Sequence, residues 1–438
     1  ARHVPIIPAD VSCLSPLQKP DISIAHVAVA SGKPSWEAMI DRPGSAAAHS
    51  PARATGPTAR VFVQDRDSEG ILRQSLNNLA VRDAEFIPGN IETAISALAQ
   101  QPSPRLLIVD VSGVEDPVAR VNALADVCEP NTGVVVVGNH NDIVLYRNLK
   151  RRGIVEYFFK PLVSDLIMRT CNGILTGTGE PQTSTRTGKL VFMLGVRGGV
   201  GATTIAVNTA WYLAETRQRW VMLLDLDLQN GDAALQLDVT PSHALREAFE
   251  HPERVDKLFM ERAVTHVNHR IDLLASLEPL GGATAFEEAA VLSLLENMLH
   301  RYRFIFVDLP TDVAVRLMHA LHLPSTCVLV SSGTLVSARE VARWRALIGA
   351  NTPERVTLHV LNLHGAPGSL PDEEFIRAAG QAPDVAVPYD REIGIASSLG
   401  TSGTQKSAAL RRGLAPLLRH LAGEQIEKPR SVLSRIFG

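Results

Sequence analysis

Cysteine is scarce: the 438 residues hold four, Cys13, Cys128, Cys171 and Cys327, far apart and without any CxxC or Cys/His ligand spacing. That excludes a disulfide framework and a zinc site, and predicts small buried apolar side chains in a reducing compartment. Charge of one sign is also lacking. Lys and Arg number 43 against 46 Asp and Glu, a net charge of -3, so no global basic field attracts nucleic acid or anionic lipid and any such binding must be local. No apolar run approaches the roughly 20 residues of a membrane-spanning helix, and Ala1 to Pro5 lack the apolar core of a signal peptide. These absences predict a cytoplasmic protein of two or three domains.

Residues 1–58 are rich in Pro, Ala and Ser and are expected to be a disordered arm, interrupted by one short apolar island from Ser35 to Ile40. From Ala59 short apolar strands (60–64, 106–109, 134–137, 157–159) alternate with stretches of helical spacing such as 70–80 and 91–100. That alternation predicts an α/β domain on a parallel sheet over 59–175. Residues 176–188 hold almost no apolar side chain and read as a flexible linker. A second α/β series over 189–424 has expected strands at 190–194, 220–224, 271–275, 304–307, 326–330 and 357–361.

The strongest chemical signal is the stretch from Leu190 to Thr204: a buried strand, the turn Arg197, Gly198, Gly199, Val200, Gly201, and then a helix opening with Ala202, Thr203 and Thr204. Such a turn aims several backbone N–H groups at a phosphate, and the following helix N-terminus adds a favourable dipole. Thr203 is placed to ligate Mg²⁺. The usual lysine before that threonine is Ala202 here, which removes a point charge from the β/γ-phosphates; Arg197 is the only cation in the loop. The series resembles the ParA/MinD family of deviant Walker-A ATPases, with both of that family's loop lysines replaced. The resemblance implies ATP and Mg²⁺ as ligands, Asp225 and Asp308 in the metal environment, and Asp227 as the residue that orients water. It also places Asn362, read as following a late strand, against the adenine base, and implies a homodimer.

Residues 59–175 resemble a response-regulator receiver domain, a flavodoxin-like fold that gathers carboxylates and a lysine at its strand ends. The matching positions are Asp65, Asp67, Asp110 and Lys160, the last followed by Pro161. Arg66 splits the acidic pair, its cation expected near the metal pocket, and Gly138-Asn139 stands where receivers carry a phosphate-sensing hydroxyl. The expectation is a phosphate-independent receiver fold used for protein contact. The two domains together, with the segments 141–149 and 225–232, resemble the TadZ/CpaE family of pilus-assembly proteins. That resemblance implies a cytoplasmic, polar scaffold of the tight-adherence (Tad, type IVc) pilus or secretion machinery, with very slow ATP hydrolysis. Its implied partners are the motor, inner-membrane platform proteins and a polar localisation factor, with no specific nucleic acid.

The tail, 425–438, places Val432, Leu433, Ile436 and Phe437 beside Lys428, Arg430 and Arg435, an amphipathic turn suited to a weak membrane contact or partner docking. Lys406, Arg411, Arg412 and Arg419 read as the solvated face of a helix whose leucines (410, 414, 417, 418, 421) face the core. Two alternatives remain open at this level: a DNA-partition ATPase, and a phosphorylation-controlled response regulator.

Overall fold

A computed structural model describes residues 57–177, 188–281, 286–398, 400 and 403–422. The arm up to residue 56, the linker from 178 to 187 and the tail from 423 lie outside the described residues.

The first sheet comprises β1 (Ala59–Val63), β2 (Glu85–Pro88), β3 (Leu106–Asp110), β4 (Gly133–Gly138) and β5 (Glu156–Phe159), all parallel in the order β2-β1-β3-β4-β5. β1 and β3 are buried along their whole length, as a central strand covered by helices on both faces must be. Each crossover helix starts where a short polar side chain can cap it. Asp65, Asn90, Asp116 and Asp142 accept hydrogen bonds from first-turn N–H groups of the helices Arg66–Asn78, Ile91–Leu98, Pro117–Val127 and Ile143–Arg151.

The second sheet has eight strands: β6 (Lys189–Gly195), β7 (Val221–Asp225), β8 (Thr265–His266), β9 (Ile271–Leu274), β10 (Phe304–Leu309), β11 (Ser325–Ser331), β12 (Arg355–His364) and β13 (Val385–Pro388). Their order is β13-β12-β11-β6-β10-β7-β9-β8, parallel except for the antiparallel β8–β9 pair. The chain order reverses at β6, so the crevice beyond the C-terminal ends of β6 and its neighbours is where such a sheet receives a ligand. β2, β8 and β13 are strands that the apolar pattern did not predict, and β12 runs three residues further than expected, through Asn362. Asn362 therefore lies inside a strand, not after one.

Cys128, Cys171 and Cys327 are buried, and burial pushes the thiols of Cys171 and Cys327 up to about 12. Among the described residues no helix is long and apolar enough to cross a membrane. The five leucines of the helix Ala408–Leu421 are buried as expected, but Lys406 belongs to the separate short turn of helix Gly403–Lys406.

Candidate functional site

The C-terminal tips of the adjacent strands β6, β10 and β7 converge. β6 ends at Gly195 and gives way to the glycine turn; Val196 anchors that turn by donating to the Val330 carbonyl on β11, 2.9 Å. Gly199 and Gly201 have φ of +76° and +83°, the left-handed region open to glycine. A Cβ on Gly198 or Gly199 would meet nothing within 4 Å, so this side of the loop is open to a ligand. Gly201 is the N-cap of the helix Ala202–Glu215, and no side chain caps it. The first-turn N–H groups of a 14-residue helix are thus left for something else.

Behind the turn, Asn362 donates its amide to the Val200 carbonyl at 2.9 Å. A Cβ on Gly201 would lie 2.5 Å from the same amide nitrogen. The structure thus shows Asn362 bracing the loop from below. Arg197 is exposed and has no ion pair among the described residues.

Three acceptors of the predicted metal environment meet here. Asp308 and Asp225 are register partners on β10 and β7, 5% and 2% exposed, and the Thr203 hydroxyl is hydrogen-bonded to Asp308. Burial pushes Asp308 well above the usual carboxylate range, with Asp225 repelling it further and Thr203 pulling the other way. Burial likewise raises Asp225 to about 7, against the N–H groups of Asp227 and Ala233 that its oxygens accept at 3.0 and 3.3 Å. Two desolvated carboxylates and a hydroxyl, with no ion pair to a cation among the described residues, are hard oxygen donors suited to a divalent cation. Among the described residues no three carboxylate, histidine or cysteine side chains form a metal cage. Mg²⁺ fits this set, since it takes one or two carboxylates and fills its shell with phosphate oxygens and water.

Asp227 is half-buried and its carboxylate accepts from the Asn230 N–H at 2.9 Å, which fixes it at the mouth of the crevice. Gly231 and Asp232, the end of the 225–232 segment, complete the turn; neither has a role of its own in the reading of the sequence. A Cβ on Gly231 would lie 2.5 Å from both Asp225 Oδ2 and the Asp227 carbonyl, so only glycine lets the segment fold back on Asp225. The signal was present as a glycine four residues after the second acid of an Asp-x-Asp strand end.

In the first sheet the predicted acidic pocket exists but is filled by its own lysine. Lys160 Nζ lies 2.6 Å from both Asp65 Oδ2 and Asp110 Oδ2. Asp110 is fully buried and also accepts from the Ser112 N–H (2.8 Å) and the Gln64 N–H (3.3 Å). Asp65 feels burial, which raises it, but the Lys160 and Ser68 hydrogen bonds prevail and hold it at about 2. Asp67 and Arg66 do not join the pocket. Both are exposed at the start of the helix that Asp65 caps, so the cation at these acids is Lys160, not Arg66. Asn139, in the place of the sensing hydroxyl, accepts from Ser112 Oγ at 3.2 Å.

Residues 188–343 match the family model described as "AAA domain", and this stretch is a P-loop domain of the ParA/MinD-like ATPase kind. A curated relative, the sporulation initiation inhibitor protein Soj of Bacillus subtilis, is 27% identical over 149 residues, or 32% of this chain. The chain spans 57% of that relative's length. Among solved structures, a ParA family ATPase from Chlorobium tepidum is 22% identical with a TM-score of 0.48, covering 54% of this chain and 99% of its own. A pilus assembly protein CpaE from Caulobacter crescentus is 32% identical with a TM-score of 0.25, over 26% of this chain and 91% of its own.

Proposed function

We propose that the chain is a nucleotide-responsive scaffold for Tad-type pilus assembly or secretion, binding ATP with Mg²⁺ and hydrolysing it very slowly. The observation that carries the nucleotide part is the uncapped glycine turn above the Thr203, Asp225 and Asp308 donors, with alanine where the phosphate-binding lysine belongs. The backbone N–H groups from Gly198 to Thr203 would take the phosphates, with Thr204 beside them, and Thr203 with the two carboxylates would hold the metal. When bound, Mg²⁺ supplies neutralisation of the phosphate charge. Asp227 orients water. Without an ammonium at position 202, binding survives on backbone dipoles, while a charge that counts most in the transition state is missing. The pilus assignment is supported by the pairing of this body with a lysine-plugged receiver-like one over 59–175, the combination that the TadZ/CpaE resemblance implies. Dimerisation through the ATPase-like body, with Arg197 reaching the partner's phosphates, belongs to the same reading, as does a polar, membrane-peripheral location.

Titration of a fluorescent ATP analogue in Mg²⁺ tests the first part. Saturable binding is expected, weakened by Thr203→Val, with phosphate release near background that rises in Ala202→Lys. Absence of saturable binding refutes the reading. Recovery of pilus-machinery components from cells by the full chain, lost on deleting 59–175, tests the second. Nonspecific DNA binding that ATP induces and salt abolishes would instead favour the partition reading.

A further inference from the structure

Buried charge is concentrated at the opposite end of the second sheet from the phosphate turn. The roots of the same three strands β6, β10 and β7 lie level there, with Phe304 in register with both Lys189 and Val221. Each root is gripped by the segment 126–129, the C-terminal end of the helix Pro117–Val127 and the first residues of the loop that leads to β4. Asp126 Oδ1 lies 3.0 Å from Lys189 Nζ and 3.2 Å from Arg303 Nη2, and the Asp126 carbonyl accepts from Arg303 at 3.0 Å. Glu129 Oε1 accepts the Trp220 N–H at 3.1 Å, one residue before β7. Beside them Arg219 donates to the Leu98 carbonyl at 2.7 Å, and Arg270 lies over the Trp220 ring at 5.1 Å. Glu129 is 7% exposed and its Oε2 has no hydrogen-bond partner, nor have the Nε atoms of Arg270 and Arg303.

Burying this many charges is costly unless the geometry is held. A hydrophobic contact would have joined the two bodies at lower cost, but would have let them slide. Directional bonds to strand roots do not. From Phe304 to Asp308 is four residues of strand, about 13 Å, and a parallel sheet transmits displacement along its strands with little loss because its interior is close-packed.

We propose that Asp126 and Glu129 are positioning residues for the distant site: they fix the roots of β6, β7 and β10, and thereby the relative placement of the phosphate turn, Asp225 and Asp308 at the tips. Any shift of the first sheet's body is felt at those tips, and by linkage any change at the tips is felt at the clamp.

Hydrogen exchange on the full chain, without nucleotide, tests this. Asp126→Asn and Glu129→Gln, singly and together, should speed exchange of amides in 196–203 and 226–232 by about fivefold or more, the lower end of ordinary coupling. Exchange in β12, which β11 separates from β6 in the sheet, should stay unchanged, and Asp126→Glu should restore most of the protection. Acceleration confined to 98–132 and the strand roots would overturn the proposal, and so would uniform acceleration that includes β12. Asp126, whose side chain is 43% exposed, provides a variant that folds if the buried Glu129 change does not. Because no ligand is used, the result is independent of whether ATP binds.

Discussion

Gly201→Ala is expected to destabilise the second body by about 2–5 kcal/mol, and the source of that cost can be separated into two parts. Alanine in the left-handed region costs about 1–2 kcal/mol. The new Cβ would also sit 2.5 Å from Asn362 Nδ2, so the amide must leave the Val200 carbonyl. Asn362 is 5% exposed, and orphaning its buried hydrogen bond costs about 1–3 kcal/mol. Asn362→Ala alone should lose the same bond and a similar amount. In the double variant there is no amide to displace and no bond left to lose, so Gly201→Ala should add only its backbone strain. The double variant should therefore be less destabilised than the two singles together, by about 1–3 kcal/mol. Urea unfolding followed by tryptophan fluorescence reads this body directly, because Trp211, Trp220 and Trp344 all lie within it. Additivity to within about 0.5 kcal/mol would refute the reasoning and show that Asn362 does not brace the loop.

Asp110 should not accept a phosphoryl group: incubation with acetyl phosphate and Mg²⁺ should give no species heavier by about 80 Da, because Lys160, Ser112 and Gln64 occupy both carboxylate oxygens; an Asp110-dependent adduct would contradict this. Asp65 is held below its ordinary value, so its contribution to stability is present above about pH 4 and is lost as pH falls through about 2; Lys160→Met should remove that acid limb and move the Asp65 carboxyl titration upward by NMR. Glu129 goes the other way, since burial raises it from 4.5 to about 7 despite its arginine neighbours. The unfolded chain ionises first, so stability falls as pH rises from about 4.5 to 7, by at most about 3 kcal/mol; Glu129→Gln should flatten that segment of a stability–pH curve, and an unchanged slope would remove Glu129 as its cause.

The ligand end of the second sheet was legible in the sequence because its signals are local. Leu190 to Leu194 and Phe304 to Val307 are uninterrupted apolar runs of the kind only a strand buried on both faces tolerates, and each is followed at once by its functional residues. Edge strands lack that signature. β2 is exposed at Glu85 and Pro88, and β13 alternates buried and exposed residues over four positions; neither makes a run long enough to stand out from a loop. Asn362 was misplaced for a related reason. The strand carries on past an irregularity between Leu361 and His364, where Leu363 takes a φ of +55°, and a pattern of apolar residues cannot show a strand continuing through such a kink.

The clamp at the root end was illegible for a different reason, which also bears on what it does. Asp126 and Arg303 are 177 residues apart, and each of Asp126, Glu129, Lys189, Arg219, Arg270 and Arg303 reads in isolation as an ordinary solvated charge at the end of an element. Only the folding of both sheets brings them into one cluster, in which Glu129, Arg219, Arg270 and Arg303 are buried and Asp126 and Lys189 partly so. Side chains of this kind cost free energy to bury and are poor evidence of stability, so stability alone does not account for their placement at the roots of the three strands that carry the candidate site. The same expense becomes intelligible if what matters is register: charged hydrogen bonds fix angle and height where an apolar contact fixes neither. A lysine-free phosphate turn depends on the placement of its backbone N–H groups more than an ordinary one does, because it has no flexible ammonium to follow the phosphate. The slow-turnover scaffold proposed above would act through the position of its nucleotide site, and so has reason to hold that position from below.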